Sequence, residues 1–124
     1  MLGDAKLQTI VWSADPAAAA RFYGEVLGLH EVGRSHGAVV FRVGAGELRV
    51  SAVPSTSPSP HTVAGFAVDD LAPVVADLAA KGVAFERFEG FAHDHRGVWR
   101  APDGAEVAWL RDPDGNLLSV VRYA

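Results

Sequence analysis

Three kinds of side chain in this sequence can do chemistry: a histidine pair, three tryptophans and scattered carboxylates. His93-Asp94-His95 sets two imidazoles at i and i+2. An extended segment aims such a pair the same way, and imidazole is the side chain most suited to proton transfer at physiological pH. Acid–base work, metal ligation or a hydrogen bond to a ligand carbonyl at a pocket rim would all suit them. No third ligand of defined spacing accompanies them, which favours a solvated loop tip. Trp12, Trp99 and Trp109 each carry a large amphipathic ring able to stack on a flat ligand and donate its N–H. The plainer role for each is packing in a core or a dimer interface. Asp112 and Asp114, with Asn116 beside them, look at first sight like a catalytic carboxylate cluster. Within Asp112-Pro113-Asp114-Gly115-Asn116, however, proline comes early and glycine late, so these side chains are read as bonding their own backbone in a tight turn. Arg49 shares a strand face with Ser51, so its guanidinium could hold an acidic ligand group; a solvent-facing charge on an edge strand is the simpler reading. Cysteine is absent, which removes disulfides, thiolate nucleophiles and Cys-ligated metals and fits a reducing, cytoplasmic compartment.

The elements that must position these residues come in two similar sets. An apolar strand from Leu7 to Ser13 ends at Ala14-Asp15-Pro16, and a second over 62–70 ends at Val68-Asp69-Asp70. Each Asp group is an N-cap candidate, its carboxylate accepting from the unpaired N–H groups of a first helical turn. Pro16 suits the first helical position, where its missing N–H costs nothing. Helical periodicity follows over Ala17 to Leu27 and Leu71 to Lys81, and both runs end on glycine, Gly28 and Gly82. The interval from Asp15 to Gly28 equals that from Asp69 to Gly82. Three strand candidates follow each helix: 29–34, 38–43 and 47–53, then 83–88, 105–111 and 116–122. Gly44-Ala45-Gly46 supplies a tight turn. The fold class expected is α+β, two tandem βαβββ modules over about 5–53 and 62–124, joined by the Ser/Pro-rich linker 54–61. Residues 88–104 read as a long loop, of the kind that is usually functional inside a compact domain.

A chain of 124 residues is the length of one ordinary domain, and its hydrophobic fraction of 49% supports a real core. Net charge is −4 with no basic cluster, so a nucleic-acid partner is not expected. No 18-residue apolar run points to a membrane, and Met1 to Lys6 lacks the positive stretch of a signal peptide.

The segments ADPAAAARFYGEVLGL and WLRDPDGNLLSVV resemble the two signature stretches of the vicinal oxygen chelate superfamily, also called the glyoxalase/bleomycin-resistance/extradiol-dioxygenase group. The resemblance spans nearly the whole chain. It implies an incomplete eight-stranded barrel around a pocket and, usually, a homodimer. Enzymes of the group hold one divalent metal through four pocket-facing residues. Those positions fall here on Gln8, seven residues before Asp15; on Ser51 in the strand closing the first module; on Val63 at the start of the second; and on Ser119, three residues after Asn116. An amide, two hydroxyls and a valine do not offset the loss of an ion's hydration shell. His61, two residues before Val63, could supply one ligand but not the missing carboxylates.

The reading is a metal-independent small-molecule binding protein with no cofactor and no catalytic residue, sequestering an apolar or aromatic ligand such as a toxic natural product. Gln8, Trp12, Phe41, Arg49, Ser51, Val53, Val63, His93, His95, Trp99, Trp109 and Ser119 are its expected ligand contacts. The alternatives are a metal-dependent glyoxalase-like lyase, isomerase or dioxygenase, and a metal-free enzyme with His93 or His95 as general base.

Overall fold

The computed structural model describes all residues from Met1 to Ala124, which fall into two units, Met1–Pro58 and Ser59–Ala124. After a short 3-10 turn at Leu2–Asp4, the first unit begins with strand β1, Gln8–Ser13. Ser13 is fully buried, and its hydroxyl accepts the Asp15 N–H at 3.1 Å. The Asp15 carboxylate in turn accepts the Ala18 N–H at 3.2 Å, capping helix α1, Pro16–Arg21, with proline in its first turn as expected.

The α-helix does not continue to Leu27. Phe22–Val26 is π-helical, with the Leu27 N–H donating to the Phe22 carbonyl five residues back at 3.0 Å. This wider turn carries Tyr23 fully inward, 5.3 Å from the Phe22 ring and 6.1 Å from Phe41. Strands β2 (His30–Ser35), β3 (Ala38–Val43) and β4 (Gly46–Ala52) complete a sheet ordered β1-β4-β3-β2. Only the β1–β4 pair is parallel. Alternation separates two faces: Val11, Val39, Phe41, Leu48 and Val50 are buried, while Gln8, Ile10 and Trp12 are exposed on the other side.

The second unit repeats the plan with β5 (Ala64–Ala67), α2 (Leu71–Ala80), β6 (Trp99–Arg100), β7 (Glu106–Arg111) and β8 (Leu117–Arg122), ordered β5-β8-β7-β6. The chain is thus α+β, two βαβββ modules. Leu71, Val75 and Leu78 from α2 are buried, as are Ala64, Ala108, Leu110, Leu118 and Val120 from the sheet. Neither helix is long and apolar enough to cross a membrane.

Three expectations need correction in this unit. The strand expected over 62–70 is only four residues long. Asp70 precedes α2, yet its side chain makes no capping bond. Residues 83–88 form no strand: Glu86 alone bridges β7, its N–H donating to the Trp109 carbonyl at 2.8 Å. The fourth strand is instead the two-residue β6, from the segment read as loop. The outer edge of β7 is shared, its start pairing with β6 and Trp109 bridging Glu86. Gly97 makes this route possible. Its φ is +94°, and a Cβ there would lie 2.8 Å from the Cβ of Phe85, so only glycine lets the returning chain lie on that side chain.

The β7–β8 turn bears out the reading of Asp112 and Asn116 as turn formers. The Asp112 carboxylate, 6% exposed, accepts the backbone N–H groups of Asp114 (2.9 Å) and Asn116 (2.8 Å) and the Asn116 side-chain amide (2.8 Å). Asp112→Ala strands these donors at a buried turn, so we expect a loss of about 2–3 kcal/mol in stability. Urea unfolding with an unchanged slope measures it; a loss below about 0.5 kcal/mol would contradict this account of the turn.

Candidate functional site

Alternation along β5, β8 and β7 puts Gly65, Ser119 and Trp109 in one row across the second sheet, and Ala67, Val121, Val107 and Trp99 in the next. Both tryptophans therefore stand on one face, half-buried, with ring centroids 6.1 Å apart. Residues 88–97 lay three more rings against them. Phe91 meets Trp99 edge-on at 4.9 Å, and Phe88 meets Trp109 edge-on at 5.3 Å. His93 lies 5.9 Å from Trp109. Edge-to-face pairs of this kind contribute about 0.5–1.5 kcal/mol each beyond area burial. The cluster keeps an open side, since Phe91 is 42% exposed. Ser119 adds a hydroxyl beside Trp109, and its room comes from Gly65, where a Cβ would sit 2.9 Å from the Ser119 oxygen.

The rings stay in place because the loop is clamped. Asp94 accepts the backbone N–H groups of Arg96 (2.8 Å) and Val98 (3.0 Å) and the Arg96 guanidinium at 2.8 Å. Arg87 donates to the carbonyls of Asp94 and His95 at 2.9 and 3.1 Å. His93 is a structural member of this clamp. Its Nδ1 donates to the Gly97 carbonyl at 2.9 Å, and its Nε2 accepts the Phe88 N–H at 3.0 Å. Both ring nitrogens are committed to backbone, so in this arrangement His93 can neither ligate a metal nor take a substrate proton. His95 is exposed and has no ring contact with the cluster; it lies beside Val83 and Phe85, so the two histidines do not act as a pair.

The first sheet places its residues differently from expectation. Phe41 is 1% exposed on the core face, so it is not a pocket wall. Ser51 pairs with Trp12, whereas the partner of Gln8 is Glu47. Ser51 is thus four residues from Gln8 along the strands, about 13 Å at roughly 3.3 Å per residue, too far to share an ion. Glu47 is the carboxylate that neighbours Gln8, and Lys6 already lies 3.6 Å from it. Arg49 is not on an edge strand: β4 lies between β1 and β3, and Arg49 sits half-buried between Ile10 and Val40 with no carboxylate partner. Trp12 and Ile10 beside it are 60% and 54% exposed. Val53 lies beyond β4, its N–H donating to Ser13. Val63 lies just before β5, half-buried and bonded to the Leu117 carbonyl, and His61 is exposed in the linker with Ser59 as its partner.

The family model of the glyoxalase/bleomycin resistance protein/dioxygenase superfamily matches residues 7–120. The chain belongs to that superfamily. Among solved structures, it resembles a lactoylglutathione lyase from Agrobacterium tumefaciens (23% identity, 96% of this chain and 93% of that one, TM-score 0.74). It resembles TioX from Micromonospora sp. ML1 (17%, 97% and 99%, TM-score 0.74). A third is a glyoxalase/bleomycin resistance protein/dioxygenase from Alicyclobacillus acidocaldarius (20%, 97% and 92%, TM-score 0.70). At these identities the likeness is one of fold. No curated protein matches the sequence.

The metal that superfamily enzymes carry does not fit the residues present. In the first unit the donors are Gln8 and the already paired Glu47; in the second, Val63 and Ser119 supply no anionic or imidazole ligand. Nowhere do three His, Asp or Glu side chains converge. Sequence reasoning missed Glu47, Gly65, Phe88 and Phe91. The phenylalanines had a signal: Phe88 and Phe91 fall in the stretch read as a loop, where large apolar rings are out of place.

Asp94 makes the clamp sensitive to acid. Burial, the largest single influence, pushes its carboxyl up, but the bonds from Arg96 and Val98 together with the Arg96 charge outweigh it. They hold it at about 2 instead of the usual 3.8. A value depressed by folding stabilises the folded state above the ordinary pKa, and the effect fades as pH falls through the folded value. Asp94→Asn should therefore be less stable than wild type at pH 7, with the gap closing between about pH 4 and pH 2. Urea unfolding of both proteins across that range tests this; a gap independent of pH would sink it.

Proposed function

We propose that this protein binds a flat apolar or aromatic small molecule on the aromatic face of its second sheet, without a metal ion. The observation that carries the reading is the Trp99–Trp109 pair, open on one side and flanked by the Ser119 hydroxyl. Ser119 is the position where the superfamily resemblance would put a metal-ligating glutamate. Apolar concave faces with a few polar groups are how flat ligands are held. The fold is neutral between roles, since a lactoylglutathione lyase and TioX match it with the same TM-score of 0.74, so the choice rests on the residues.

The second reading is a metal-dependent lyase or isomerase, favoured by one observation, the carboxylate of Glu47 beside Gln8. Metal content separates the two. Protein purified without chelators should carry less than about one-tenth equivalent of Ni, Zn, Mn, Fe or Co per chain. Near-stoichiometric metal that disappears in Gln8→Ala or Glu47→Ala would overturn the binding reading. Ligand contact is tested with a panel of polycyclic aromatic natural products read by quenching of tryptophan fluorescence. Trp99→Ala and Trp109→Ala should each weaken binding by about tenfold or more, since stacking and burial of one ring exceed the roughly 1.4 kcal/mol of a decade. Losing affinity in Trp12→Ala, with Trp99→Ala and Trp109→Ala unchanged, would mean that the ligand sits on the first sheet.

A further inference from the structure

The same loop borders a second concavity that contains none of the aromatic cluster. Val75 and Ala79 of α2 line one part of it, and Val83 and Phe85 another, around a volume of about 400 Å³. At its rim stand Arg87, His95 and Arg96. Arg96 is neutralised by Asp94 at 2.8 Å. Arg100, Arg111 and Arg122 in the same unit also have carboxylates, Glu106 serving the first and third and Glu86 the second. Arg87 alone among the arginines of this unit has none, in a chain whose net charge is −4. Its partners are two backbone carbonyls, those of Asp94 and His95.

That arrangement has a chemical meaning. Carbonyl acceptors fix a guanidinium in space without cancelling its charge, and two such bonds leave several of its five N–H donors free. A cation held still beside an apolar cavity is preorganised for a carboxylate, because the entropy of ordering the side chain has been met on folding. We propose that this groove is a second binding site, for a small amphipathic carboxylate whose apolar part lies between α2 and Phe85 and whose carboxylate meets Arg87. The site lies outside the aromatic face proposed above.

The probe is 3-phenylpropionate, with its uncharged amide and inorganic phosphate as controls, followed by amide chemical shifts of the labelled full chain. Shifts should appear at Ala76, Ala79, Val83, Arg87 and His95 with phenylpropionate, and be weaker by about tenfold or more with either control. Arg87→Gln keeps an uncharged amide NH2 for the loop carbonyls and should lose about tenfold in affinity. Ala79→Phe leaves the guanidinium intact but fills the groove, and should abolish binding. Shifts confined to residues 97–99, 109 and 119, equal binding of phosphate, or full affinity in Ala79→Phe would each overturn the proposal.

Discussion

Asp94 ties down the segment on which the aromatic face depends. Its carboxylate gathers the N–H groups of Arg96 and Val98, while Arg87 grips the neighbouring carbonyls from the other side. Between them the chain reverses at Gly97 over Phe85 and delivers Trp99 to the edge of β7. Release any of these and Phe88, Phe91 and His93 lose the backbone that holds them against the two tryptophans. The clamp therefore links a charge interaction at the loop to the packing of rings on the sheet.

The two modules share a strand order and a parallel first pair, yet they differ where chemistry is expected. The first unit fills its outer position with a six-residue β2. The second gives that position to a two-residue β6 and one bridge at Glu86, and spends the remaining chain on an aromatic loop. Loss of strand frees backbone to carry rings and frees Arg87 to turn toward carbonyls. The positions where the superfamily resemblance would put metal ligands hold Val63, just before β5, and Ser119, the cross-strand partner of Trp109. Function in such a fold is a property of the residues placed on it, not of the sheet order.

Much of the architecture was legible because its signals are local. Asp15 before Pro16, glycine at positions 28 and 82, and the Asp112 to Asn116 turn each act within a few residues, and the structure places them where the sequence does. Alternation along β1 puts Gln8, Ile10 and Trp12 on one face. Failures came where the same local rule had two outcomes. Asp70 has the type and place of a cap but makes no such bond, and Phe41, expected as a ligand contact, alternates to the core side.

By itself the sequence determined the two βαβββ modules and the family, because period-two alternation and turn residues depend only on neighbours in the chain. Tertiary structure alone decided the register that pairs Gln8 with Glu47 and Trp12 with Ser51, since β1 and β4 are parallel and separated by a crossover with no local signal for its offset. It also decided that His93 spends both nitrogens on backbone while Arg87 keeps an uncompensated charge. Which donors a side chain meets is set by the path of the loop through space, and that path is fixed by contacts with Phe85 and β7 rather than by the residues on either side.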